Sequence, residues 1–254
     1  FFNSADIKYE WSAANFMDIP GEKLKEKFGS DLDAGSTKPG KKFPGRTHLP
    51  LQLVNGLPEV AYLGKSNAGK STLLNNLTTD LKKNSLNRFA KASKKAGFTK
   101  TLNSFNIGNR FRLIDTPGYG FNSSIEQGNV TMQYLRERKE LARCFLLISG
   151  EQGFSELDLS IIDYMRGGAI PFEIVFTKMD KIKDTATFKQ MIDAVGIKEL
   201  PTLPQLILTN SVASKSCTKR YGMDHVRFVI LQSCGLHGRL NTSRKKYAIY
   251  RHFY

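Results

Sequence analysis

Three short stretches carry residue types and spacings that could handle a nucleotide. The first is Gly64-Lys-Ser-Asn-Ala-Gly-Lys-Ser71, with the order G-x-x-x-x-G-K-S. Glycines in such a turn let backbone N–H groups point inward at a phosphate, and the N-terminus of a following helix adds partial positive charge. Lys70 would reach the outer phosphates, and the Ser71 hydroxyl suits Mg²⁺. Gly64, Lys65, Ser66, Asn67, Ala68, Gly69, Lys70, Ser71 and Thr72 are the residues expected around the phosphates. The second stretch is Phe111-Arg-Leu-Ile-Asp-Thr-Pro-Gly118, an apolar run ending in Asp115. A carboxylate there can hold Mg²⁺ through water, and Gly118 can offer an unhindered N–H to a terminal phosphate. The third is Pro171-Phe-Glu-Ile-Val-Phe-Thr-Lys-Met-Asp180. Guanine presents two N–H donors on one edge, which Asp180 can accept. Adenine presents neither, and sites of this kind discriminate by roughly 10⁴–10⁵. Lys178 would lay its aliphatic stem along the base, following Thr177 in the same T-K-M-D turn. Taken in this order, the three stretches point to GTP or GDP.

Each stretch needs an element to hold it. Glu59–Gly64 is short, apolar and partly β-branched, as a buried parallel strand is. After the glycine loop, Leu73, Leu74 and Leu77 recur at helical spacing. Strand, loop and helix in succession are the context a phosphate loop requires. Over the whole chain, strands are expected near 59–64, 101–107, 110–115, 144–149, 171–177 and 205–210. Helices are expected near 70–79, 128–141, 155–166, 184–195 and 222–233. This alternation predicts an α/β fold with a mostly parallel six-stranded sheet and helices on both faces. Ligands of such sheets gather at the strands' C-terminal ends.

Composition narrows the classes further. The chain has 254 residues and a net charge of +15. No run approaches the roughly 18 apolar residues of a membrane span. Three cysteines without a C-x-x-C pair, and four histidines without H-E-x-x-H spacing, argue against a disulfide framework or a zinc site. Residues 81–114 carry nine Lys/Arg and no Asp/Glu, and residues 225–254 carry six and none. The remaining residues are balanced at 23 of each sign, so the whole excess lies in two segments. That is the footprint of a polyanion partner. In the second segment, Arg239, Arg244, Lys245, Lys246 and Arg251 alternate with Tyr247, Tyr250, Phe253 and Tyr254. Either these groups meet phosphates and unpaired bases, or the aromatics pack on the domain with the cations in water.

The motifs GKSNAGKSTLLNNL, SKKAGFTKTLNSF, DTPGYGF, TKMD and YGMDHVR together resemble the EngB ribosome-assembly GTPases, within the TrmE–Era–EngA–EngB group. The resemblance runs from about Leu57 to Gly235. It implies a P-loop GTPase with a Ras-like G domain at 57–235, an N-terminal extension and linker at 1–56, and a basic aromatic tail at 236–254. It further implies GTP hydrolysis with Mg²⁺, with Lys70, Thr99 and Gly118 as the catalytic set and Ser71, Thr99 and Asp115 around the metal. The family usually has P-G-R-T where this chain has Ala96-Gly97-Phe98-Thr99. Thr99 keeps the metal-binding hydroxyl and Gly97 its turn, while the family arginine is gone. A literal P-G-R-T at Pro44–Thr47 precedes the phosphate loop and reads as linker. Asn67 matches the asparagine by which potassium-activated relatives hold K⁺; the other reading is a simple turn residue. Ser211 and Val212 are placed at the guanine oxygen, with Ala213 or Ser214 as alternatives. Tyr119 stands where Ras-type enzymes have a water-positioning glutamine, which implies slow intrinsic hydrolysis.

The resemblance implies the large ribosomal subunit and its RNA as partners, gripped through residues 81–100 and the tail. The contrasting reading is a nucleotide-gated tether with negligible turnover, in keeping with Tyr119 and the missing arginine. An ATP-using enzyme is disfavoured by Asp180. The long basic extensions favour a mitochondrial (matrix) protein over a bacterial cytoplasmic one, and a monomer is expected.

Overall fold

In the computed structural model, the described residues are 1–23, 25–26, 56–79, 100–120, 124–182, 184–197, 203–213 and 219–236. The strands are β1 (Ile7–Ala13), β2 (Glu59–Gly64), β3 (Leu102–Ile107), β4 (Phe111–Asp115), β5 (Leu141–Ser149), β6 (Phe172–Thr177) and β7 (Leu206–Leu208). The helices are α1 (Lys70–Leu77), α2 (Ile125–Glu137), α3 (Glu156–Gly167), α4 (Thr185–Ala194) and α5 (Met223–Ser233). They form one sheet in the order β1-β3-β4-β2-β5-β6-β7. The pairs β4–β2, β2–β5, β5–β6 and β6–β7 are parallel, while β3 runs antiparallel to both β4 and β1.

The parallel strands are buried on both faces, which explains their unbroken apolar runs. Along β2 the side chains alternate with period two. Ala61 and Leu63 join the core beneath α2, α3 and α4, and Val60 and Tyr62 join the core beneath α1 and α5. The helix starts follow from local chemistry. Ser124 with Gln127 and Ser155 with Asp158 form reciprocal capping boxes, and Asp184 caps α4.

The α/β class and the mostly parallel sheet are as expected, but the sheet has seven strands among the described residues, not six. The seventh, β1, comes from the segment assigned to an N-terminal extension. Its pairing with β3 shifts register between Tyr9 and Trp11. Such an irregularity re-aims side chains: Trp11 and Ala13 enter the core, while Glu10 accepts from Arg112 Nε at 2.5 Å and from Asn106. Phe16 and Ile19 follow into the same core. A division at residue 56 therefore separates two strands of one sheet. The Gly/Pro/Lys-rich linker stretch at 35–44 within the N-terminal extension, the literal P-G-R-T at Pro44–Thr47, the basic stretch at 81–99 and the tail beyond 236 lie outside the described residues.

Candidate guanine-nucleotide site

The C-terminal ends of β2, β4 and β6 bring the three sequence stretches to one edge of the sheet. The loop after β2 is shaped by glycine. Gly64 has φ 151°, and a Cβ on it would stand 2.7 Å from the Leu147 carbonyl oxygen. Gly69 has φ 100° and precedes α1 without any side-chain cap, so the first N–H groups of α1 face the loop unclaimed by a capping side chain. Asn67 is exposed with φ 67°. Ala68 is buried, and Lys65, Ser66 and Thr72 are partly buried.

Lys70 is buried beneath this loop. Its Nζ donates to the carbonyls of Gly64 (2.7 Å) and Lys65 (3.1 Å). Burial pulls its pKa down to about 8, with Asp115 pulling the other way. Ser71 Oγ donates to Asp115 Oδ2 at 2.8 Å. Burial raises the Asp115 pKa, opposed by Lys70 and Ser71. The other carboxylate oxygen, Asp115 Oδ1, is buried without a hydrogen-bond partner.

The D-T-P-G segment lies directly against the phosphate loop. Thr116 Oγ1 donates to the Tyr62 carbonyl at 2.6 Å, and Ser66 N donates to the Tyr119 carbonyl at 3.0 Å. A Cβ on Gly118 would stand 2.9 Å from Ser66 N, Cα and Oγ, so only glycine fits this approach. The Tyr119 side chain turns away. Its hydroxyl donates to Asp158 Oδ1 at 2.5 Å, and burial, then Asp158, raises its pKa far above the usual tyrosine range. Asp158 is held in turn by Ser155, whose N–H and hydroxyl both donate to Oδ2.

At the base end, Thr177 Oγ1 donates to the Ala68 carbonyl at 2.7 Å, tying the T-K-M-D turn to the phosphate loop. Lys178 adopts φ 54°, and burial, then Lys181, lowers its pKa. Asp180 follows in a short 3-10 turn, partly buried. Ser211 is buried, and its carbonyl accepts from Asn76 Nδ2 of α1; Val212 is 55% exposed. Thus Gly64–Thr72, Asp115, Gly118, Thr177–Asp180 and Ser211–Val212 all come to this edge. Gly97 and Thr99 lie outside the described residues. Sequence reasoning missed Asp158 and Asn76. The S-x-x-D box announces the start of α3, but no local signal links Asp158 to Tyr119.

Residues 59–178 match the family model described as 50S ribosome-binding GTPase. A Caulobacter vibrioides protein named probable GTP-binding protein EngB is 34% identical over 197 residues, covering 75% of this chain and 81% of that one. The chain belongs to the EngB family of GTP-binding proteins. Like its family it is a GTPase. A second relative, MIOREX complex component 8 of Saccharomyces cerevisiae, is 51% identical over 236 residues, covering 93% of this chain and 72% of that one. Among solved structures, Aquifex aeolicus Era bound to GDP·AlF₄⁻ aligns with TM-score 0.51 at 27% identity, over 69% of this chain. Era with MgGDPNP and a 16S ribosomal RNA segment gives TM-score 0.50 at the same identity. The EngB-type chain spans just over half of each Era chain, 56%. No helix among the described residues is long and apolar enough to cross a membrane.

Proposed function

We propose that this EngB-type GTPase is a Mg²⁺-dependent switch that acts on the large ribosomal subunit, in assembly or translation, inside mitochondria. The observation that carries the reading is the meeting of Lys70, the Ser71–Asp115 pair and the Thr177-braced T-K-M-D turn on one loop. Lys70 reaches the outer phosphates, the N–H groups at the start of α1 hold them, and Asp180 reads guanine. Ser211 and Val212 stand beside the base.

The donor set suits Mg²⁺. It offers hard oxygens, a hydroxyl and a carboxylate with one unpaired oxygen. No group of three or more His, Cys, Asp or Glu placed to hold a metal ion by themselves occurs among the described residues, in keeping with an ion held by few protein ligands plus phosphates. Ser71, Asp115 and, from the sequence, Thr99 would hold it. When bound, Mg²⁺ supplies charge neutralisation on the outer phosphates. Asn67 is the group through which K⁺ would act.

Tyr119 cannot orient the attacking water while its hydroxyl is held by Asp158, so intrinsic turnover is slow and a partner completes the site. GTP orders the segment around Thr99 and the D-T-P-G loop, and hydrolysis releases them. The basic stretch 81–100 and the tail meet ribosomal RNA. The family model's description supports the ribosomal partner. The basic extensions and the identity with a yeast protein support the mitochondrial placement.

The test is GTP turnover in K⁺ and in Na⁺ buffer, with and without large ribosomal subunits. Stimulation by subunits, larger in K⁺, is the expected result. Background turnover under all conditions, with nucleotide-dependent subunit binding retained, would replace the switch with a tether.

A further inference from the structure

Native proteins leave few buried polar atoms unpaired, and each one calls for an explanation. Ser66 Oγ is such an atom: it is buried without a hydrogen-bond partner. It also lies at a telling place, within 2.9 Å of where a Cβ on Gly118 would stand. The hydroxyl therefore sits between the phosphate loop and the glycine expected to face the terminal phosphate.

Neighbouring polar groups are committed. Ser66 N is taken by the Tyr119 carbonyl, the Tyr119 hydroxyl by Asp158, Lys70 Nζ by two loop carbonyls and the Ser71 hydroxyl by Asp115. Asp115 Oδ1 is also unpaired, but an ionised carboxylate oxygen can only accept, and so cannot bind a phosphate directly. A serine hydroxyl can donate. On the loop side of Gly118, Ser66 Oγ is the buried side-chain donor left with nothing to meet.

We infer that the Ser66 hydroxyl donates a hydrogen bond to the terminal phosphoryl group of GTP and so distinguishes GTP from GDP. This deepens the proposed function and rests on that reading of the site. GDP ends one phosphate short of the Gly118 corner, so it leaves the hydroxyl as it is. GTP fills the corner, and the D-T-P-G loop must ease away from Ser66 to admit it. A donor there in the triphosphate complex is the group a retracted tyrosine cannot supply.

The test uses the full chain with Ser66→Ala, which removes the hydroxyl, and Ser66→Cys, which keeps the size with a weaker donor. Affinities for GDP and for a non-hydrolysable GTP analogue are measured in Mg²⁺, alongside melting temperatures. A hydrogen bond to a charged group is worth about 10- to 100-fold in affinity. The expected result is analogue binding weakened by about that factor in Ser66→Ala and by less in Ser66→Cys. GDP binding should stay within about twofold and the melting temperature should be unchanged or higher, since an unpaired buried group adds nothing to stability. Equal losses for GDP and analogue would give the hydroxyl a merely structural role, and no loss for either would give it none. Both overturn the inference and leave the guanine site standing. A wild-type chain that binds neither nucleotide would overturn the site and the inference together.

Discussion

The two ends of the parallel sheet treat buried charge in opposite ways. At the N-terminal ends of the strands, charges are paired with one another. Glu59 is fully buried and accepts from Arg138 Nε (2.9 Å), Arg138 Nη2 (2.6 Å) and the Tyr134 hydroxyl (2.8 Å). Arg138 also meets Glu22 and lies 3.2 Å from Glu140, and Arg112 bridges Glu10 and Glu59. Burial works against the Arg138 charge, but the hydrogen bonds to Glu59 together with the charges of Glu59 and Glu140 outweigh it, and its pKa rises. At the C-terminal ends, burial instead lowers Lys70 to about 8 and raises Asp115, while Ser66 Oγ, Asp115 Oδ1, Ser149 Oγ and Ser211 Oγ remain unpaired. One end is largely paired within the chain, Glu140 Oε2 and Arg143 Nε being its charged atoms without a hydrogen bond; the other offers its unpaired groups to the proposed nucleotide. The paired end also fixes the N-terminal segment to the domain, because Glu10 and Glu22 both come from it.

Four substitutions separate the two ends of the sheet. Lys70→Ala should weaken GDP and GTP by about 3–5 kcal/mol, the cost of truncating one partner of a buried charge pair, while the melting temperature of the free chain changes little. Equilibrium binding and thermal unfolding, run together, check both halves. Arg138→Met should do the reverse. It strands a buried carboxylate and costs about 3–4 kcal/mol of stability, with nucleotide affinity of the folded protein unchanged; urea unfolding with and without GDP reads this. Gly118→Ala places a methyl 2.9 Å from Ser66, a crowding worth about 1–3 kcal/mol. It should alter GTP-analogue binding more than GDP binding in a competition assay. Tyr119→Phe removes one hydrogen bond to Asp158, worth about 1–2 kcal/mol of stability. Single-turnover hydrolysis should not slow, because the hydroxyl is spent on Asp158; a slower rate would place it at the phosphate instead.

The site was more legible in the sequence than the frame around it. Glycine spacing, a strand-end aspartate and T-K-M-D are local signals, and each sits on the expected strand. Lys70–Leu77 and Glu156–Gly167 begin within a residue of their expected starts. Ile7–Ala13 escaped because its meaning is tertiary. Only Trp11 and Ala13 of its seven residues are buried, and Glu10 looks like a solvent charge until Arg112 of β4 is beside it. The antiparallel edge made by β1 and β3 cannot be read from either strand alone. The contacts Tyr119–Asp158 and Asn76–Ser211 span 39 and 135 residues, distances over which local pattern carries no information.

The most direct measurement is calorimetric titration of GTP, ATP and XTP into the wild-type chain and Asp180→Asn. With Asp180 accepting both guanine donors, the wild type should favour GTP over ATP by roughly 10⁴–10⁵. The variant should lose GTP and gain XTP, whose 2-oxo group accepts from the new amide. An Asp180→Asn chain that keeps the wild-type preference for GTP would contradict the placement of the base and, with it, the guanine site at this end of the sheet.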